Sequence, residues 1–507
     1  MEKKGIAAFG DVLSNLATGH LKSFEYKPQP FPKWDVDANE YFLINNVNII
    51  DVNLGEIRRE QGVLIRNKRI EELILPQDVE TIQAQYPPKN EVDGNDDYLI
   101  PGLSDLHGHL SLISEFDLSL GGLRYFDAQR QKNCEEALKA GCTFVRDSGG
   151  AFEPVSYLRN EIAHNRLLGP RIMASYAPLV PKGGMWDVGG MMNTLAQMIF
   201  GGKFLNFLAD DNEIIETMEC LHQMGCDCFK TYFEEKPIYG GQESTIYTMF
   251  SPEQAKLIRK TADQYGKMVE AHSMFIKGSR RVIEAGFDTI AHMTCDEPYS
   301  PEDAQKMKQN GVAIVPTLSL GCYLAMNCGE RGHPNHPEFK FFQEMLNQYV
   351  PEQIEKATIP ELRKNYMHFH EWLNEEIENR KMPGVGQVYP ERVHGFAVNA
   401  PESFKHFQEA DTKVGVGTDG GTGITFTGHL EIEFEALHRY GYAAPEVLRM
   451  ATLGNMEIMS KDDELGSIEK GTYADLVLSA KNPLEDIKAI QKVLMVFKDG
   501  RLVHKRP

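Results

Sequence analysis

The chain has no run of about 18 consecutive apolar residues, the length needed to cross a bilayer as a helix, so a membrane span is not expected. It has no surplus of basic residues: its formal net charge is −20, which leaves nothing to neutralise nucleic-acid phosphates or an anionic membrane surface. Its N-terminus carries early charge but no sustained apolar stretch or small-residue cleavage site, and reads as a short amphipathic helix rather than a signal peptide. Eight cysteines contain no C-x-x-C zinc pair and no disulfide framework. Cys226 and Cys228 are two apart on one strand, an awkward geometry for a bridge, while Cys134, Cys142, Cys220 and Cys295 read as small buried hydrophobes. A reducing cytoplasm fits this usage. No G-x-G-x-x-G follows the first strand, which argues against a doubly wound dinucleotide fold.

What is present is an ordinary globular composition, 42% hydrophobic and 25% charged over 507 residues, enough for a large core and more than one domain. Residues 40–97 and 461–507 are both β-like, the latter with an Asp499–Gly500 hairpin signal. The two ends are expected to form one small β-sandwich, with residues 1–39 as an unassigned N-terminal extension. Between them, in 98–460, eight short apolar strands alternate with helical patterns, several ending on Gly. That repeat predicts an α/β fold, a (β/α)8 TIM barrel with its site at the carboxyl ends of the strands. Residues 186–215 and 322–400 exceed what a barrel needs and read as lids, substrate walls or oligomer contacts.

The polar residues at the predicted strand ends carry the functional signal. "YLIPGLSDLHGHL" ends on His107 and His109, which share one face of a strand. Later strands end on Lys230 ("CDCFKTYF"), His272 ("MVEAHS"), His292 ("TIAHM") and Asp419 ("VGVGTDGG"). Each alone has an ordinary alternative: a hydrogen-bonded core histidine, a solvent-seeking lysine, an Asx turn. Six at the mouth of one barrel are hard to explain that way. Four imidazoles and a carboxylate suit zinc or a neighbouring first-row metal such as Mn, Co or Fe. A lysine among cations is the odd member. Its neutral amine can take up CO2 to give an anionic carbamate with two oxygens, so a carboxylated Lys230 implies two bridged divalent ions. A hydroxide shared by such a pair is a strong nucleophile at neutral pH.

With these motifs, and with "AGCTFVRDSGG", "GPRIMAS", "AGFDTIAHMT" and "GTYADLVL", the chain from about residue 40 onward resembles the amidohydrolase superfamily of metal-dependent hydrolases. It is similar to the branch holding imidazolonepropionase-like and prolidase-like carboxypeptidases. The resemblance implies metal-ligand roles for His107, His109, Lys230, His272, His292 and Asp419. It implies a binuclear hydrolase of an amide bond in a dipeptide, N-acyl amino acid or cyclic amide, with Asp419 as proton shuttle. The sequence departs from the dipeptidase-like pattern after Lys230, where "TYFEEKPIYGG" replaces a Ser-Gly-Gly stretch. Tyr232 and His429, in "GHLEIEFEAL", are the expected substrate contacts. A deaminase, which would use a glutamate near strand five such as Glu270, is an alternative, as is an esterase, lactonase or phosphotriester hydrolase. A barrel that has lost its chemistry would lack ligands, and none is missing. The expected partners are a small-molecule substrate and further copies of the chain.

Overall fold

The computed structural model describes residues 41–59, 62–86, 90–112, 125–187, 203, 205–238, 245–321, 335–374, 381–382, 386–387, 392 and 394–506. The N-terminal extension lies outside the described residues, as do much of 186–215 and parts of 322–400.

In chain order the first strands are β1 (Tyr41–Asp51), β2 (Glu56–Ile57), β3 (Gly62–Arg66), β4 (Arg69–Ile74) and β5 (Asn90–Pro101). Next come β6 (Leu103–Gly108), β7 (Cys142–Asp147), β8 (Arg171–Ala174), β9 (Leu179–Pro181), β10 (Asn206–Leu208) and β11 (Cys228–Tyr232). They are followed by β12 (Met268–His272), β13 (Thr289–Ala291), β14 (Ala313–Val315) and the short pair β15 (Lys381–Met382) and β16 (Gly386–Gln387). The last are β17 (Leu476–Ser479), β18 (Val493–Lys498) and β19 (Arg501–Lys505).

Strands from the two ends of the chain join one mixed sheet in the order β19-β18-β17-β5-β1-β3-β4, with β2 beside β1. Alternation decides its faces. Phe42, Ile44, Leu99, Leu476 and Phe497 bury on one side, while Leu43, Leu64 and Ile74 bury on the other. Lys498 pairs with Arg501 across Asp499–Gly500, both at positive φ (52° and 69°), the two-residue hairpin that Asp-Gly predicts.

The intervening strands form two parallel sheets, β6-β7-β8 and β10-β9-β11-β12-β13-β14. Helices between them start and stop on local signals. Ser251 and Ser300 make capping boxes with Gln254 and Asp303, and Gly286 and Gly311 close their helices in the left-handed region. Segment 413–420 joins the two sheets: Gly415 N–H donates to Ile314 O at 2.8 Å, and Leu106 N–H donates to Val416 O at 2.9 Å.

Three expectations from the sequence are corrected. The run Leu99–His107, read as one strand, is two, β5 and β6, in different sheets. They part at Gly102, where a Cβ would lie 2.0 Å from Thr143 Oγ1, so only glycine lets the chain cross from one sheet to the other there. Strand three breaks at Tyr176 (φ 57°) into β8 and β9, which belong to different sheets, and β10, not foreseen, pairs with β9. Strand eight has isolated bridges rather than a regular ladder, because side chains take its amides. Asn455 Oδ1 accepts Val416 N–H at 2.9 Å, and Asp105 Oδ1 accepts Thr418 N–H at 3.1 Å. Among the cysteines, Cys220 is exposed, whereas Cys134, Cys142 and Cys295 are buried as expected.

Candidate metal centre

The parallel strands β6, β11 and β12 bring His107, Lys230 and His272 to their carboxyl ends, and His109, His292 and Asp419 lie just beyond β6, β13 and segment 413–418. All six side chains are buried in a chain whose other charged groups mostly face water. Ligand atoms of His107, His292 and Asp419 lie within 4.8 Å of one another, a group that could hold a metal ion. Asp419 Oδ1 is 3.2 Å from His107 Nε2 and 3.1 Å from His109 Nε2.

Three of the four imidazoles have one nitrogen hydrogen-bonded away from this centre, and the fourth, His272, has one close to a buried acid. His107 Nδ1 meets Glu270 Oε1, and His109 Nδ1–H donates to Gly149 O at 2.9 Å. His292 Nδ1 is 2.8 Å from Thr317 Oγ1, and His272 Nε2 is 2.9 Å from Glu234 Oε2. A neutral imidazole has one N–H and one lone pair. With Nδ1–H of His109 given to a carbonyl, its Nε2 lone pair faces the Asp419 carboxylate, acceptor against acceptor. Only a proton or a cation between them resolves that contact, so the residues fit a divalent ion. By the same accounting His107 and His292 would also offer Nε2.

Lys230 Nζ is buried with no hydrogen-bond partner among the described residues, 3.4 Å from Glu270 Oε1. Burial lowers its pKa, against the pull of Glu270, toward the neutral amine. Glu270 is held well below the usual carboxylate range: burial opposes this, but Arg146, Lys230 and His107 outweigh it. Arg146, fully buried, has its Nη2 3.0 Å from Glu270 Oε1 and donates from Nε to Leu106 O and from Nη1 to Thr289 Oγ1. Burial also drives His272 and His292 well below the ordinary imidazole range, which keeps their lone pairs available. Asp419 is held well below the usual carboxylate range: burial opposes this, but the His107 and His109 rings set against it outweigh it.

The backbone here is strained. His292 (φ 80°) and Asp419 (φ 55°) are in the left-handed region, which side-chain-bearing residues rarely adopt. Gly420 is required by contact: a Cβ there would lie 1.9 Å from Thr427 N.

Of the two expected substrate contacts, Tyr232 lies in the centre, its ring stacked on His272 at 4.7 Å between centroids. His429 is not brought to it. Together with Leu103, the first residue of β6, it lines a groove beside the terminal sheet, so it lies toward the amino ends of the strands. The sequence reading missed Glu234, Arg146, Asp105, Thr317 and Asn455. Asp105 was visible in "SDLHGH", where a buried acid two residues before a histidine invites a backbone role. Its carboxylate accepts from His107 N, Thr418 N, Thr418 Oγ1 and Gly428 N. The others carry no local signal.

A family model described as "Amidohydrolase family" matches residues 98–503. The ochratoxinase of Aspergillus niger is 23% identical over 425 residues, covering 80% of this chain and 75% of that protein. The solved A. niger ochratoxinase superposes with a TM-score of 0.67 at 21% identity, over 93% of this chain and 97% of that one. A Xaa-Pro dipeptidase with methionine bound in its active site gives 0.66 at 20% identity, over 92% and 100%. The family match spans the parallel strands and every residue of the buried centre. The chain belongs to the amidohydrolase family and is a hydrolase acting on carbon–nitrogen bonds.

Proposed function

We propose that the protein is a binuclear metal-dependent hydrolase that cleaves the amide bond of a dipeptide, N-acyl amino acid or cyclic amide. In this reading the two parallel sheets and segment 413–420 close into a (β/α)8 barrel, and the sheet of the chain ends is its small accessory domain. The observation that carries the reading is the tying-off of one nitrogen on each of three buried histidines, His107, His109 and His292, which turns the other nitrogen toward the place where Asp419 lies. His107, His109, His272, His292 and Asp419 would hold two divalent ions, zinc being the first expectation. Lys230, carboxylated on its buried amine, would bridge them. Such ions supply Lewis acidity toward the amide carbonyl and lower the pKa of water.

The chain's own groups do the rest. Asp419, ionised and pointed at the centre, accepts the proton of the attacking water and returns it to the leaving amine. Glu270 holds the His107 ring and is itself clamped by Arg146. A carboxylate so engaged is a poor free base, which disfavours the deaminase alternative. Tyr232, beside His272, is placed to donate to a substrate oxygen. The named relatives act, by their names, on ochratoxin and on Xaa-Pro dipeptides, and this supports amide substrates carrying a carboxylate.

Metal analysis coupled to hydrolysis assays on dipeptides, N-acyl amino acids, lactones and aryl esters tests the reading. About two metal ions per chain and amide turnover abolished by chelation are expected. Ester or lactone turnover without amide turnover would refute it.

A further inference from the structure

The motif "HLEIE" after strand eight is not accounted for by the reaction, and its last residue, Glu433, is fully buried on the helix Glu431–Arg439. Its two oxygens accept the backbone amides of Leu318 (2.9 Å) and Ser319, the residues that follow β14. The residue before them, Thr317, is at φ 50°, a conformation that a β-branched side chain adopts only when its surroundings enforce it. Thr317 Oγ1 donates its single proton to Pro316 O at 2.8 Å, so toward His292 it acts as acceptor, and the 2.8 Å contact is Nδ1–H donating to Oγ1. The neutral His292 ring is thereby held with its Nε2 lone pair toward the centre. His292 N–H in turn donates to Val315 O at 3.0 Å, so the same short segment fixes both its backbone and its ring.

We propose that Glu433 is a positioning residue for the metal centre, acting through the backbone of Leu318 and Ser319 and the Thr317 hydroxyl to set the tautomer and aim of His292. The proposal rests on the metal-centre reading, and it links three elements of the fold. The helix after strand eight clamps the end of β14, and that end orients the ligand that follows β13. An acid is needed because two adjacent amides must be accepted at once in a buried place; a neutral amide has only one accepting oxygen.

Four variants of the full chain test it: Thr317→Val, which removes the hydroxyl at constant shape; Thr317→Ser, which keeps it; Glu433→Gln; and Glu433→Asp, which keeps the carboxyl group but shortens the reach. The first readout is ¹⁵N NMR of the histidine rings in metal-free protein, with the His292 signals assigned by their loss in His292→Gln. The second is Zn²⁺ affinity by chelator competition. Thr317→Val is expected to scramble the His292 tautomer and weaken Zn²⁺ binding by about 10–100-fold, the usual loss for an outer-shell partner. Thr317→Ser should stay within about 3-fold of wild type. Glu433→Gln should move both readouts in the direction of Thr317→Val, and Glu433→Asp provides the same reading should Glu433→Gln fail to fold. A folded Glu433 variant with an unchanged His292 tautomer and unchanged Zn²⁺ affinity overturns the proposal. If wild type binds no Zn²⁺, the metal reading fails, while the tautomer readout still decides the relay.

Discussion

Replacing Asn455 with leucine tests whether side chains really stand in for a missing β-ladder at strand eight. Asn455 is fully buried at the end of a π-helical turn, Met450–Gly454. Its Oδ1 accepts Val416 N–H at 2.9 Å, and its Nδ2 donates to Ser104 O at 3.0 Å and Val416 O at 3.1 Å. Leucine has nearly the same shape and none of these groups. Val416 O keeps the N–H of Leu106, but Val416 N–H is left buried without an acceptor. An orphaned buried donor costs roughly 1–3 kcal/mol, and losing the bond to Ser104 O adds about 1, so a loss of roughly 2–4 kcal/mol is expected. Asp419 lies three residues beyond Val416 on the same segment, so activity should fall as well as stability. Urea denaturation of the metal-free protein measures the first effect, and amide exchange at Val416 locates it. A variant within about 0.5 kcal/mol of wild type, with Val416 still protected, would show that the amide has another acceptor and that the side-chain ladder is wrongly drawn.

Asp419→Asn should keep the fold and much of the metal while slowing amide turnover at least ~10²-fold, as expected for loss of a positioned acid–base. Near-wild-type turnover with both metals bound would assign the proton to another group. Lys230→Ala should lose at least one metal ion per chain together with activity, and short carboxylic acids should restore part of both; mass spectrometry showing an unmodified Lys230 in active, fully loaded protein would rule out the bridge. A pH effect follows from Asp147, which burial pushes up to about 6 from an ordinary 3.8, against the favourable pull of His109 and nearby backbone amides. Because the folded state binds this proton more tightly than the unfolded chain, the stabilisation is complete below pH ~4 and is lost as pH rises through about 6, on the order of 3 kcal/mol in all. Asp147→Asn should therefore differ from wild type by different amounts at pH 4.5 and pH 7 in denaturation of metal-free protein. Equal differences at the two pH values would contradict the assignment.

Six candidate ligands were legible in the sequence because each is a polar residue ending a short apolar run, and the chemistry of a metal demands those residue types whatever surrounds them. Tyr232 was legible for the same reason: its i+2 spacing from Lys230 on a strand puts both on one face. His429 shows where this logic stops. It follows strand eight in sequence, yet Gly428 N–H is drawn to Asp105 Oδ2 at 2.8 Å, and the chain turns back toward the amino ends of the strands. No local pattern announces that turn, because the acceptor is 323 residues away.

The same division runs through the fold. Period-two alternation, capping residues and the Asp-Gly turn act over a few residues, so the sequence alone determined where most strands and helices and the last hairpin lie, and which residue types stand at the strand ends. Tertiary structure decided what depends on contacts between distant segments. A Cβ at Gly102 would strike Thr143, and this splits the first strand between two sheets. Asn455 and Asp105 supply the bonds that strand eight lacks. Glu270, Gly149 and Thr317 choose which nitrogen His107, His109 and His292 turn to the centre. An imidazole's donor and acceptor are chemically interchangeable until a partner is placed beside one of them, and only the folded chain places it.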